Sequence, residues 1–209
     1  MKIKFAVNIG REIASGGLDI AEIIASSLKI NMYDKKLLDV AAKESGFGKE
    51  FFEQADEEAS RGKISSFFSS HLFEAGIYGK NYISNDNLFK IQSDAIRSIH
   101  KKESCVFIGR CADYILRESP YIINVFITAN IEDRINKIIK LKHFSHDQAL
   151  KFIEKADRYR SSYYNFYSGQ KWGHSSHYDL CLNSSVFGYE KCAEIIIELT
   201  KVKLKLQIK

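Results

Sequence analysis

Short apolar runs punctuate the chain, and between them apolar residues recur at helical spacing. Residues 3–9, IKFAVNI, make a brief run rich in β-branched side chains, the pattern of a strand covered on both faces. Over 17–28, Ile20, Ile23, Ile24 and Leu28 fall on one face of a helix. INMYD (30–34) predicts a second strand, and KKLLDVAAKES (35–45) a helix ended near Gly46. From 48 to 103 the pattern is helical but interrupted: EFFEQADEEA is acidic and amphipathic, SRGKISSFFSSHLFEAG irregular, and DNLFKIQSDAIRSIHKKE an amphipathic helix. SCVFIG (104–109) and YIINVFITA (121–129) read as core strands, and YDLCLNSS (178–185) as the last. NIEDRINKIIKLK and SHDQALKFIEKADRYRSSYYNFY read as helices with basic and aromatic faces, and GYEKCAEIIIELTKVKL closes the chain as a helix. Strands alternating with amphipathic helices pack most naturally as a parallel sheet covered on both sides, so the expected class is α/β, doubly wound.

Composition changes this picture little. The 209 residues, 45% apolar and 27% charged, suit one ordinary globular domain. A single proline, Pro120, and the lack of a Gly/Ser linker or an internal repeat argue against a second domain. No apolar run approaches the ~20 residues of a membrane span. The basic start MKIKFAVNIGRE has too short an apolar stretch for a signal peptide, so a cytoplasmic location is expected. The four cysteines (Cys105, Cys111, Cys181, Cys192) form no C-x-x-C pair and sit near no histidine cluster, which favours reduced thiols over zinc or disulfides. A net charge of +5 suits an anionic ligand such as nucleotide phosphates but does not require one, and no nucleic-acid motif accompanies it. The tail TKVKLKLQIK reads first as a helical extension, with an edge strand or a homodimer contact as the other readings.

Candidate chemistry lies in three places. NIGREIASGGLDIAEIIASSL (8–28) runs from a strand through a glycine turn into a helix. The first amides of such a helix lack internal partners and point along the positive end of its dipole, and glycine lets the backbone curl around phosphate oxygens. Ser15, Gly16 and Gly17 stand where such a cradle would be, although a plain glycine turn would look the same. CVFIGRCADYIL (105–116) ends a core strand on Gly109-Arg110, projecting a guanidinium from the carboxyl edge where open α/β sheets bind ligands. ADRYRSSYY (156–164) puts Asp157 and Arg160 three residues apart on one helix face.

With YDKKLLDVAAKESG, EFFEQADE, ADRYRSSYYNFYSGQKWG and YDLCLNSS, these stretches resemble the cytidylate kinase-like family, relatives of the nucleoside monophosphate kinases with a P-loop fold, over residues 5 to about 190. The resemblance implies a parallel P-loop sheet in a three-layer fold, a helical monophosphate-binding insertion at 35–103 and a helical lid at 140–175. It also implies ATP and Mg²⁺ as cofactors and a small-molecule nucleotide as partner, with no nucleic acid or membrane. Cytidylate kinases carry a loop ending Gly-Lys-Gly-Thr; here the glycine–lysine pair falls on Gly16-Gly17 and the hydroxyl on Asp19, so the lysine is absent. Arg11-Glu12 and Ser15-Gly16-Gly17 match the kinase-like branch, whereas Ala14 and Leu18 depart from it.

By that resemblance Arg11 stands in for the lost cation, its fork pairing with phosphate oxygens. Arg110 contacts the acceptor phosphate, and Asp157 and Arg160 form the lid's D-x-x-R. Asp34 lies near the acceptor or caps the following helix. Asp19 is a second-shell carboxylate for magnesium, with no protein metal site expected. Each of these residues has a plainer structural reading: Arg11 paired with Glu12, Arg110 with Asp113, Asp157 with Arg160. The aromatic run YYNFYSGQKWG, with Lys171 and Trp172, packs the lid or stacks on a planar substrate. Asn183 replaces an aspartate usual in relatives. His71, His100 and His143 read as surface residues, while His174 and His177 stay open. The leading expectation is an ATP-dependent phosphotransferase; the alternative is a nucleotide-binding protein with a degenerate loop and little or no turnover.

Overall fold

The structure, a computed structural model, describes residues 3–34 and 82–206. The helix expected over 35–45, the acidic segment after 48, much of the 35–103 insertion and His71 lie outside the described residues.

Five parallel strands form one sheet in the order β2-β3-β1-β4-β5: β1 Ala6–Arg11, β2 Asn31–Tyr33, β3 Cys105–Ile108, β4 Ile122–Thr128 and β5 Leu180–Asn183. Central β1 pairs Val7 with Val106 on one side and with Ile123 on the other. The described α-helices are α1 Gly17–Leu28, α2 Tyr82–Lys102, α3 Ala112–Ile115, α4 Ile131–Lys142, α5 His146–Ser168 and α6 Ser184–Leu206. The first strand runs two residues beyond its apolar pattern, because Gly10 and Arg11 still pair with Phe126 and Ile127. The last helix begins four residues earlier than GYEKCAEI suggests and bends at Gly188, whose φ of 74° is non-helical. The tail continues this helix to Leu206.

The alternating faces of β1 divide the core. Val7 and Ile9 pack with Ile20 and Ile24 of α1 and Ile196 of α6. On the opposite face Ala6 joins Ile96 of α2, Phe107 of β3 and Tyr164 of α5. A smaller cluster of Ile135, Ile138, Ala149 and Ile153 welds α4 to α5, and Ile13 and Ala14 of the glycine turn pack onto it. Burying side chains of this size contributes about 1.5–3 kcal/mol each. Two layers of helix around a parallel sheet leave the carboxyl edge of the strands open, and α5 lies across it. Ser145 seats α5 with a capping box, accepting from the Gln148 amide while Gln148 reaches back to the Ser145 amide.

Candidate active site at the carboxyl edge

Between β1 and α1, residues 12–16 turn through left-handed backbone at Ala14 (φ 61°) and Gly16 (φ 78°). A Cβ at Gly16 would collide with the ring of Tyr189. The Ile20 amide donates to the Gly16 carbonyl at 2.9 Å, closing the first turn of α1. The amides before it project from the positive end of the helix. Ser15 is buried and holds the turn: its Oγ donates to the Glu12 carbonyl (2.9 Å), and its own carbonyl accepts from Ser184 Oγ (2.7 Å).

The loop is gripped from outside by Arg134 of α4, which is 5% exposed. Its guanidinium donates to the Ile13 carbonyl (2.9 Å) and pairs with Glu12 (3.1 Å) and with Asp157 of α5. Glu12 also accepts from Thr128 Oγ1 and the Ala129 amide. Asp157 Oδ1 accepts from the Ile13 amide at 2.8 Å, and Arg160 Nη1 donates to the Arg11 carbonyl at 3.1 Å. Burial pushes the Asp157 carboxyl above the usual carboxylate range, opposed by the Ile13 amide and by Arg134. Asp157 and Arg160 therefore share a face, as their spacing predicts, and that face clasps the loop backbone. Glu12 is paired with Arg134, a partner that sequence proximity to Arg11 did not suggest.

Arg11, Arg110 and Arg160 line one cleft of about 140 Å³, with Tyr159, Tyr163 and Trp172 among its aromatic walls. At its rim Gly109, Arg110 and Cys111 are three consecutive residues with positive φ (68°, 59° and 55°). For a residue other than glycine such a conformation costs roughly 1–2 kcal/mol. The turn they make swings Arg110 over the sheet edge, where its guanidinium lies 5.1 Å from the centre of the Tyr163 ring. Tyr163's hydroxyl is pushed up to about 12 by burial, against the pull of Arg110. Arg11 lies across Gly109, where a Cβ would strike its Nη1, and its stem covers Gly17. Asp113 accepts from Tyr164 at 2.6 Å.

A second cavity of about 200 Å³ opens on the other side of the loop, between Ala14, Lys137, Ser184 and Tyr189. Here Asp19 pairs with Lys137 (2.8 Å), whose ammonium also meets the Tyr189 hydroxyl at 3.2 Å. Asp34 follows β2 and is not among the residues lining the first cleft. Trp172 stands edge-on to Phe126 with centroids 5.1 Å apart, and Lys171 is exposed. Asn183 donates to Asn130 (2.9 Å) and accepts from the Ser185 amide (3.0 Å), fastening the start of α6. His100 is partly buried rather than a surface residue: it meets Ser119 at 2.9 Å, and burial lowers its pKa. His143 is exposed, and the rings of His174 and His177 lie tilted beside each other with centres 5.7 Å apart. Cys105, Cys111, Cys181 and Cys192 are all free.

Sequence reasoning passed over Arg134, Lys137, Tyr189 and Asn8. Arg134 and Lys137 sit in NIEDRINKIIKLK, which read only as a helix with a basic face. The moderate apolar stripe of α4 gave no sign that one arginine turns inward. Among the described residues no three His, Cys, Asp or Glu side chains gather to hold a metal, and no helix is long and apolar enough to cross a membrane.

Comparisons with known proteins bear on the family and the fold. A sequence model described as the cytidylate kinase-like family matches residues 6–186. No curated protein matches the chain. Among solved structures, it is similar to an uncharacterized protein from Eubacterium ventriosum ATCC 27560, at 26% identity and a TM-score of 0.72, covering 95% of this chain and 99% of that one. It also shares the fold of shikimate kinase from Bacteroides thetaiotaomicron, at 12% identity and a TM-score of 0.54, covering 94% and 98% of the two chains. Shikimate kinase from Acinetobacter baumannii, solved with shikimate, aligns at 9% identity and a TM-score of 0.51 over 99% of this chain and 96% of that one.

Proposed function

The chain belongs to the cytidylate kinase-like family, and from that premise we propose that it moves the γ-phosphoryl group of ATP onto a small anionic acceptor, a nucleoside monophosphate or a compound of similar size. The observation that carries this reading is the meeting of Arg11, Arg110 and Arg160 in one cleft, with the stem of Arg11 lying against Gly17 at the start of α1. Phosphoryl transfer needs little covalent help from a protein; positioning and neutralisation of spread negative charge do most of the work.

The residues fit a phosphate chain. Loop amides and the guanidinium of Arg11 bind donor oxygens, Arg110 orients the acceptor anion, and Arg160 steadies the group in transit while the lid helix excludes water. The donor set also suits Mg²⁺ carried in on the nucleotide: Asp19 is a half-exposed carboxylate in the first turn of α1, and Mg²⁺ keeps several waters and needs few protein ligands. When bound, the metal would neutralise phosphate oxygens, with Asp19 the residue to hold its water shell.

A second reading, nucleotide binding with little turnover, is favoured by two specific observations. The Ile13 amide, in the middle of the loop, is already taken by Asp157, and Gly17 occupies the place of the lysine. Assaying the protein with ATP, Mg²⁺ and a panel of nucleoside monophosphates and small acids separates the two. Turnover supports the kinase; thermal protection by ATP without turnover supports the binder. Arg110→Ala is expected to cut acceptor use by a hundredfold or more while ATP affinity stays within about threefold; unchanged acceptor use would overturn the assignment of Arg110.

A further inference from the structure

The arginine cleft is not lined by cations and rings alone. Asn8, on the central strand, lines the cleft yet is only 4% exposed. Its side-chain Nδ2 donates to Asn124 Oδ1 at 2.7 Å, which leaves Asn8 Oδ1 buried with no partner among the described residues. Turning both amides over reverses that bond and leaves Nδ2 unspent instead, so one polar atom of Asn8 is idle in either arrangement. Leaving it idle in a packed interior is costly, and such atoms are rare in folded proteins.

Asp113 lines the same cleft. Tyr164 donates to one of its oxygens at 2.6 Å, with the Gln170 side chain 2.9 Å from the same hydroxyl. The backbone amides of Tyr114 and of Asp113 itself also reach this carboxylate, and with about four lone-pair sites it keeps acceptor capacity beyond these donors. The cleft therefore brings together three guanidinium groups, several aromatic rings and the acceptor atoms of Asn8 and Asp113.

We propose that Asn8 and Asp113 select the acceptor by its far end: the ligand of this cleft is a small anion whose end remote from the negative charge carries hydrogen-bond donors, hydroxyl or amino groups. A hydroxyl satisfies Asn8 in either amide arrangement because it both donates and accepts. An amino group satisfies it in the arrangement with Oδ1 idle. Aminated nucleobases on a monophosphate and hydroxylated sugar phosphates share this chemistry. The inference rests on the cleft being the acceptor site, as proposed above.

The test is equilibrium binding of CMP, ribose 5-phosphate and phenyl phosphate, the last having the anion and a flat ring but no donors. The expected result is that CMP or ribose 5-phosphate binds at least tenfold more tightly than phenyl phosphate. CMP leading identifies an amino group, and ribose 5-phosphate leading identifies hydroxyls. Asn8→Leu or Asp113→Asn should bring that ratio below threefold while phenyl phosphate stays within twofold of its wild-type affinity. A wild-type ratio under tenfold, a ratio above threefold in both variants, or an equal loss for phenyl phosphate would overturn the proposal. Should Asn8→Leu fail to fold, Asp113→Asn alone decides, since an asparagine oxygen can still accept from Tyr164. If none of the three ligands binds, phenyl phosphate included, the acceptor-site reading itself falls.

Discussion

At Gly109 the absence of one carbon serves two ends. The residue takes φ 68°, and the space where its Cβ would stand is filled by Arg11 Nη1. Gly109→Ala therefore meets strain and collision together. It is expected to lower stability by about 1–2 kcal/mol from the left-handed backbone alone, read as a shift in urea midpoint at constant m. Because Arg11 must move aside, the affinity for phosphate-bearing ligands should fall at least tenfold as well. Loss of stability with anion affinity intact would show that the position of Arg11 over Gly109 has no part in binding. Asn8 and Arg110 teach the same lesson from the polar side: each is held in an arrangement that is poor for stability and well suited to meeting a ligand.

Among the elements, α5 decides what the loop can do. It contributes Asp157 and Arg160 to the loop backbone and, through Arg134, ties itself to α4 and Glu12. Removing the buried cation leaves two carboxylates facing each other with little water. Arg134→Met should therefore destabilise the fold by about 3–5 kcal/mol, and adding Asp157→Leu should recover part of that loss, giving a clear coupling energy in a double-mutant cycle. Additive effects of the two changes would mean the pair does not act as a unit. Asp157→Leu by itself also frees the Ile13 amide; a gain in ATP affinity there would mark Asp157 as a competitor for the loop. The tie between α5 and the loop rests on a few side chains and a small apolar cluster, which is compatible with the lid role proposed for α5.

For the molecule as a whole, the cleft, the loop and the second cavity all lie at one edge of a sheet whose core side chains are buried on both faces. A ligand bound only by the native state stabilises it by RT ln(1 + [L]/Kd), about 2.7 kcal/mol at a hundredfold excess over Kd. ATP and an acceptor added together are thus expected to raise Tm more than either alone, with each increment growing with the logarithm of concentration. Arg110→Ala should abolish the acceptor's increment and keep that of ATP, in a thermal melt at fixed ionic strength. Equal increments from any salt of the same strength would show screening of the positive chain, not a site.

Among the described residues the apolar pattern by itself determined the five strands, the longer helices, the parallel sheet and the place of the glycine turn, though not the short helix α3, because burying β-branched runs and helix stripes is a local demand with few packed solutions. The motifs likewise marked Arg11, Ser15, Gly16, Gly17, Arg110, Asp157 and Arg160 as candidates, since these residues sit at strand ends or on one helix face. Tertiary structure alone decided what each of them faces. Arg134 looks like any charged residue of an amphipathic helix until α4 and α5 close on the loop and bury it, and Asn8 looks like a break in a strand until the sheet turns it towards the cleft. Hydrogen bonds and ion pairs join residues more than a hundred positions apart, such as Ile13 to Asp157 and Glu12 to Arg134. No local pattern encodes such pairings, because their energy depends on the desolvation and direction that only the assembled fold supplies.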